Sequence, residues 1–284
     1  MKIPIDPNSR LLNVGCGAHF HPDWCNIDLV SNHPDVIEYD IRGGLPFADN
    51  SFDAAYHSHV LEHLTPAQGE ALVLECHRVL RPGGVLRVVV PDLEQISRIY
   101  LRMLDDAWEG NSTAEKNYEW MKLELLDQMV RHQSGGLMGP YMVDSIKTNA
   151  EFVRSRIGSE LESCQNQPTN PANKNNLRNW WVKQKQQLAA WTVSLLMGRE
   201  QATAFQEGVF RQQGEIHRWM YDRLSLKKLC EQCGFSDFQI RQADASFIEK
   251  FAGYQLDSHE SRVRKPDSLF VECRKLRQVS RKAA

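Results

Sequence analysis

Short apolar runs alternate with amphipathic stretches along the first third of the chain. Leu11-Leu12-Asn13-Val14 is a mostly apolar run that stops at Gly15-Cys16-Gly17, and it predicts a first strand feeding a glycine turn. Trp24 to Leu29 and Val36 to Tyr39 predict the second and third strands, with Asp28 and Asp40 at their carboxyl ends. Ala54 to His57 reads as a fourth strand. From Pro66 onward, Leu72, Cys76, Val79 and Leu80 keep the i, i+4, i+7, i+8 stripe of a helix lying on a sheet. Arg81-Pro82-Gly83-Gly84 is expected to end that helix, and Val85 to Val90 is a continuous apolar run of the kind buried on both faces. Asp92 is placed to cap a helix whose Leu93, Ile96, Tyr100, Met103 and Leu104 share one side. Strand and helix in alternation predict an α/β fold, a doubly wound and mostly parallel sheet.

The alternation stops near residue 105. Glu115 to Val130 and Ile146 to Leu161 read as helices, joined by the glycine-rich loop Arg131 to Pro140. Gln165 to Asn176 reads as a polar linker without means of burying itself. Trp180, Trp181, Leu188, Trp191 and Leu195 then lie along one helix, with Lys183 and Lys185 beside them. Tryptophans next to lysines can mark a membrane-surface helix; packing on the core or on a second subunit is the plainer expectation. Core elements resume with Ser225 as N-cap of a helix over Leu226 to Cys233, stopped by Gly234. Phe238 to Arg241 and Leu269 to Glu272 supply the last two strands, the final one antiparallel, with a charged hairpin over Asp257 to Asp267 between them. The expected organisation is a core of residues 1–104 and 213–284 carrying a helical insertion, 105–212, as substrate lid or dimer contact.

Composition narrows the partners. The 284 residues are 42% hydrophobic and 25% charged with net charge −2, which suits a globular domain and argues against a broad nucleic-acid face. Seven scattered cysteines form no disulfide framework and suggest reduced thiols in a cytoplasmic setting. Cys230-Glu231-Gln232-Cys233 has metal or redox spacing but no second pair, so buried thiols and no metal are expected. The basic tail Arg274 to Lys282 reads as a frayed, solvated end, and Met1-Lys2-Ile3-Pro4 begins no apolar targeting segment. No run reaches the roughly 18 apolar residues of a membrane span.

The candidate chemistry gathers at the first three strand ends. Open parallel sheets bind ligands beyond the carboxyl ends of their strands. The Gly15–Gly17 turn lets a ligand approach main-chain N–H groups. Asp28, an acceptor-only carboxylate, suits vicinal ribose hydroxyls; Asp40 suits an exocyclic amino group, with Ile41 against a purine face. A nicotinamide dinucleotide is disfavoured, because Phe20 stands where the third glycine belongs. Asp28 also follows Gly17 by only 11 residues, less than the roughly 20 of that fingerprint. Pro22 cuts short any long first helix.

The segments L-L-N-V-G-C-G, N-I-D-L, Y-D-I, L-P-F-A-D-N-S-F-D-A-A-Y-H-S-H-V-L-E-H-L and H-R-V-L-R-P-G-G-V-L-R-V-V-V-P-D, in order over residues 11–95, resemble class I S-adenosylmethionine-dependent methyltransferases. The resemblance is greatest to a bacterial branch associated with glycan or secondary-metabolite pathways. It implies a Rossmann-like core that binds S-adenosyl-L-methionine and releases S-adenosyl-L-homocysteine. Val14, Gly15, Cys16 and Gly17 would face the methionine part, Asp28 and Leu29 the ribose, Asp40 and Ile41 the adenine, with His57 or Ser58 lining the cofactor. It implies transfer to a small-molecule acceptor: O-methylation of a small molecule, natural product or sugar. His217, ahead of the S-x-x-x-L helix, and then His59 are the candidate bases, since histidine titrates near neutral pH. His63 reads as structural. Arg131, His132, Ser134, Arg218 and Tyr221 are candidate acceptor contacts. A homodimer through the insertion is compatible with this reading. A non-catalytic binder that kept the fold, and more remotely a nicotinamide-dependent dehydrogenase or epimerase, are the alternatives.

Overall fold

The structure, a computed structural model, describes residues 10–31, 33–145, 148–159, 161 and 177–277. Two units are distinguished: residues through Ile99 with Ser155–Gly158 and the chain from Arg218 onward, and Tyr100–Arg154 with Ser159–His217.

The first unit is built on a seven-stranded sheet. In chain order its strands are β1 Leu11–Val14, β2 Cys25–Asp28, β3 Val36–Glu38, β4 Phe52–Ser58, β5 Leu80–Pro91, β6 Phe235–Arg241 and β9 Ser268–Lys275. Their spatial order is β3-β2-β1-β4-β5-β9-β6. β1 pairs in parallel with β2 and β4, β2 with β3, and β4 with β5, whereas β9 runs antiparallel to β5 and β6. The chain reverses direction on either side of β1, which places a crevice at the carboxyl ends of β1, β2 and β4. β5 begins before the expected Val85, because Leu80 already pairs with Phe52 across a register shift. Arg81 to Gly84 is therefore the irregular start of a strand. Arg274 and Lys275, expected in a frayed tail, close β9, where Lys275 Nζ donates to the carbonyls of His77 and Leu80 at 2.8 Å each.

One face of the sheet is covered by helices. α1, Pro66–Val79, opens on a capping box in which Thr65 and Gln68 satisfy each other's backbone N–H groups. It buries Leu72, Val73, Cys76 and Val79 against Leu12, Val14, Ile27, Leu86 and Val88. The helix Arg223–Gln232 is capped by Asp222, not Ser225: the Asp222 carboxylate accepts from the N–H groups of Leu224 and Ser225 at 2.8 Å each. Ser225 sits at the third helical position and completes the reciprocal box. Cys230 and Cys233 are buried beside it, and all six described cysteines are unpaired.

The other face carries a loop where a helix would be usual. Ala243, Ile248, Phe251 and Leu256 pack on Trp24, Tyr56, Val89 and Phe270. Fully buried Arg87 ties the loop down. Its Nε donates to Asp257 Oδ2 at 2.7 Å, and its terminal nitrogens donate to Glu272 Oε1 and to the carbonyls of Gln242, Ala243 and Ala245. All five guanidinium N–H groups are thereby used. The charged hairpin expected over Asp257 to Asp267 is present as β7 Ser258–His259 and β8 Arg262–Val263.

The second unit is helical among its described residues. α2, Leu93–Trp108, starts on Asp92, whose carboxylate accepts from the N–H groups of Glu94 and Gln95, and runs into this unit. Ser112–Val130 follows, with Trp120 and Met121 completely buried. Ala150–Ile157 is a shorter helix than the 146–161 expected. The polar segment 165–176 lies outside the described residues. Leu177–Met197 carries the tryptophans, and Arg199–Arg211, which no apolar stripe announced, packs against it after Gly198. Trp181, Leu188, Trp191 and Leu195 are each more than half exposed. No described helix is long and apolar enough to cross a membrane.

Candidate functional site

The Gly15–Gly17 turn is held from two sides. The N–H groups of Gly15 and Cys16 both donate to the carbonyl of Ile27 on β2, at 2.8 and 3.2 Å. Gly15 has φ +65°, and a Cβ there would stand 2.5 Å from Val60 Cγ2. Gly17 has φ +54°, and a Cβ there would meet nothing within 4 Å, so one side of its backbone is open. Among the described residues no helix connects β1 to β2, in keeping with Pro22. Two buried amides hold that loop instead. Asn13 Nδ2 donates to the carbonyl of His19, and Asn26 Nδ2 to the carbonyls of His21 and Trp24.

The first acid joins this turn directly. Asp28, ending β2, accepts the Gly17 N–H on Oδ2 at 2.7 Å and the Val30 N–H on Oδ1 at 3.3 Å. Each oxygen keeps acceptor capacity, since a carboxylate offers about four lone-pair sites. Leu29 beside it is exposed. Asp40 caps the turn Ile41–Gly43 after β3, the strand next to β2. Arg42 hydrogen-bonds its carboxylate at 2.7–3.2 Å and holds the group below the usual range. Ile41 packs in part against the main core. Val14 is fully buried and Cys16 nearly so, and burial pushes the Cys16 thiol up to about 12, so it stays neutral.

The carboxyl end of β4 is more heavily built than its sequence suggested. His57 is completely buried on the helical side, and neither ring nitrogen has a hydrogen-bond partner among the described residues. Burial lowers it to about 4. A ring with no exposed surface lines no open cleft, which corrects its expected place beside the cofactor. Ser58 is half-buried. His59 takes φ +54°, a left-handed conformation uncommon outside glycine. Its Nδ1 lies 2.9 Å from Oε1 of the fully buried Glu62 carboxylate, and its Nε2 lies 2.9 Å from Ser268 Oγ.

The expected acceptor contacts belong to both units. Arg131 is tied to Asp127 and Glu215 at 2.6 and 3.0 Å with its side chain mostly buried, so it braces its own unit. Ser134 hydrogen-bonds Glu215, and His132 is exposed. His217, also in the second unit, is buried, with its N–H on the carbonyl of Gln128 at 2.9 Å. Arg218 belongs to the first unit and donates its N–H to the carbonyl of Glu62 at 2.6 Å. Tyr221 is a core residue: burial pushes its phenol up to about 12, which removes it from the candidate acceptor surface. The 257–267 hairpin lines a groove of about 720 Å³ with Arg241, Gln242 and Asp244, on the β6 side of the sheet. Glu62, Ser268 and the Arg87 network were not anticipated. The only local signal was the i, i+3 spacing of His59 and Glu62; Ser268 and Asp257 arrive from about 200 residues away.

Part of the chain is similar to known methyltransferases. Residues 22–88 match a family model described as a methyltransferase domain. An uncharacterized methyltransferase of Synechocystis is 42% identical over 109 residues, covering 31% of this chain and 50% of that protein. The sterol 24-C-methyltransferase of Schizosaccharomyces pombe is 29% identical over 111 residues, 31% of this chain and 29% of that enzyme. The chain thus spans half or less of the length of these curated relatives. Among solved structures, a possible histamine N-methyltransferase of Thermotoga maritima aligns over 94% of this chain and 82% of its own, with 12% identity and a TM-score of 0.37.

Proposed function

We infer that the first unit, which carries a methyltransferase domain of the class I, S-adenosylmethionine-dependent kind, transfers a methyl group from that cofactor to a small-molecule acceptor. The observation that carries the reading is the Gly17–Asp28 joint: an open glycine backbone and an acceptor-only carboxylate meet 2.7 Å apart at the carboxyl ends of adjacent parallel strands. The donor set fits the cofactor. Gly17 leaves one side of its main chain open for the methionine part, with Val14, Gly15 and Cys16 packed beside it. Asp28 has lone pairs left for the ribose hydroxyls beside Leu29. Asp40 and Ile41 stand one strand further on for the adenine, and Ser58 borders the crevice. When bound, the cofactor supplies an electrophilic methyl group on sulfur.

The chain's own residues have to bind, align and exclude water, which is most of what an in-line displacement needs. An oxygen acceptor with a high pKa must also lose a proton, and within this unit His59 is the histidine proposed for that role. Arg218, in the same unit, remains a proposed acceptor contact. A hydroxyl of a sugar or natural product is the proposed acceptor class, in a cytoplasmic setting.

Isothermal calorimetry with S-adenosylhomocysteine tests the reading. The protein is expected to bind it, and Asp28→Ala to weaken binding at least tenfold, about 1.4 kcal/mol. Absence of binding would overturn the assignment. Methyl-labelled cofactor incubated with a native small-molecule extract should label an acceptor. Binding without any S-adenosylhomocysteine production would identify a non-catalytic binder.

A further inference from the structure

The helix Leu177–Met197 turns large apolar side chains outward. Trp181, Leu188, Trp191 and Leu195 are 56–69% exposed, and Leu196 near its end is 76% exposed. Their positions, each three, four or seven residues after the last, share one stripe of the helix. Ala190 lies on the opposite side and is buried. Gln186 and Gln187, also on that side, line a groove with Phe205 and Val209 of the helix Arg199–Arg211. The hairpin partner therefore takes the back of the helix and leaves the stripe facing out. Contiguous exposed apolar patches mark interaction surfaces on globular domains.

Charge decides what the stripe meets. Between Glu162 and Glu200 the chain carries five cations, Lys174, Arg178, Lys183, Lys185 and Arg199, and no acid. The whole protein holds 36 acids and a net charge of −2, so positive charge is concentrated around this helix. Lys185, itself exposed, lies one turn after Trp181 and one turn before Leu188, at the border of the stripe. We propose that this helix lies on an anionic lipid surface. Trp181, Leu188, Trp191 and Leu195 enter the boundary between headgroups and acyl chains, and Lys185 meets the anionic headgroups.

Both halves of the contact have a physical reason. Tryptophan joins a large apolar ring to an N–H that favours a polar boundary, and it gathers at membrane–water interfaces. Lysine lays its stem on apolar surface while its ammonium reaches outward. A helix held in this way buries its apolar face about 5–10 Å deep and does not cross. None of the described helices is long and apolar enough to span a membrane, which suits a helix lying on the surface. A second copy of the chain is the competing occupant and fits less well. It would bring an acid-free, cationic segment against itself, and like charges in apposition oppose association. The stripe lies wholly in the second unit, so the contact is independent of the cofactor reading of the first.

Co-sedimentation of the full chain with vesicles tests the contact. The protein is expected to bind vesicles of equal phosphatidylglycerol and phosphatidylcholine, and to bind pure phosphatidylcholine at least about tenfold more weakly. Binding should also fall as salt shortens the screening length from about 10 Å at about 0.1 M to about 3 Å at about 1 M. Trp191→Ser combined with Leu195→Ser is expected to abolish sedimentation, and Lys183→Gln combined with Lys185→Gln to weaken it by about fivefold per charge. All four residues are replaced by polar ones outside the proposed cofactor site, so unfolding midpoints should match that of the unaltered protein. Absence of binding by the unaltered protein, or equal binding to both vesicle compositions, would overturn the assignment. Undiminished binding by both variants would do the same. Sedimentation velocity reads the competing occupant. A dimer that the Trp191→Ser, Leu195→Ser variant converts to monomer, without vesicle binding, would give the stripe to a second copy and remove the lipid contact.

Discussion

Gly15 and Gly17 share a left-handed backbone but differ in what surrounds them. Gly15→Ala sets a methyl group 2.5 Å from Val60 Cγ2 on top of the φ penalty. It is expected to cost about 1–3 kcal/mol of stability. Gly17→Ala meets open space and should carry the φ penalty only, about 1 kcal/mol. Urea midpoints check the ordering, and equal losses would contradict the packing at Val60. Gly17→Ala should nevertheless weaken S-adenosylhomocysteine binding, because the new methyl group fills the space proposed for the ligand. At this scale the sequence was informative about backbone and poor about side chains. A G-C-G turn announces its own conformation, but of His57 and Ser58, adjacent on one strand, only His57 is fully buried. Which face of β4 is sealed depends on the helices laid over it.

Elements depend on a few long-range polar ties. Arg87→Met removes the only cation within ion-pair range of Asp257 among the described residues and one of two for Glu272, leaving both carboxylates buried. It is expected to cost about 3–5 kcal/mol. Because the 243–256 loop hangs on that cation, limited proteolysis should cut this loop first. Loss of under 1 kcal/mol with no change in cleavage would show that aromatic packing on Trp24 and Tyr56 suffices. The helix Arg223–Gln232 offers a milder test. Asp222→Ala strips its N-cap and should cost about 1 kcal/mol, while Ser225→Ala should cost less, the reverse of what the sequence pattern suggested. Sequence periodicity located this helix correctly but placed the cap three residues late. Asp and Ser are both good caps, and only backbone geometry chooses between them.

Across the whole molecule, buried His57 couples stability to acidity. Its folded pKa of about 4 lies below the ordinary 6.5, so the unfolded chain binds the extra proton in that interval. Stability is therefore full above about pH 7 and falls as pH drops toward 4, by up to about 3 kcal/mol from this group. His57→Leu should flatten that slope, which urea unfolding at about pH 5 and about pH 7 would reveal. An unchanged slope would locate the acid sensitivity elsewhere. The alternation of strands and amphipathic helices, the glycine turn and the acids at two strand ends were all determined by the order of residues. Each is set by local periodicity or by turn chemistry within a few residues. Only the folded chain decided that an aromatic loop pinned by Arg87 covers one sheet face, that His57 is sealed away, and that Ser268 meets His59. Those outcomes depend on contacts between residues some 30 to 200 positions apart, and no local pattern encodes which distant side chain will arrive.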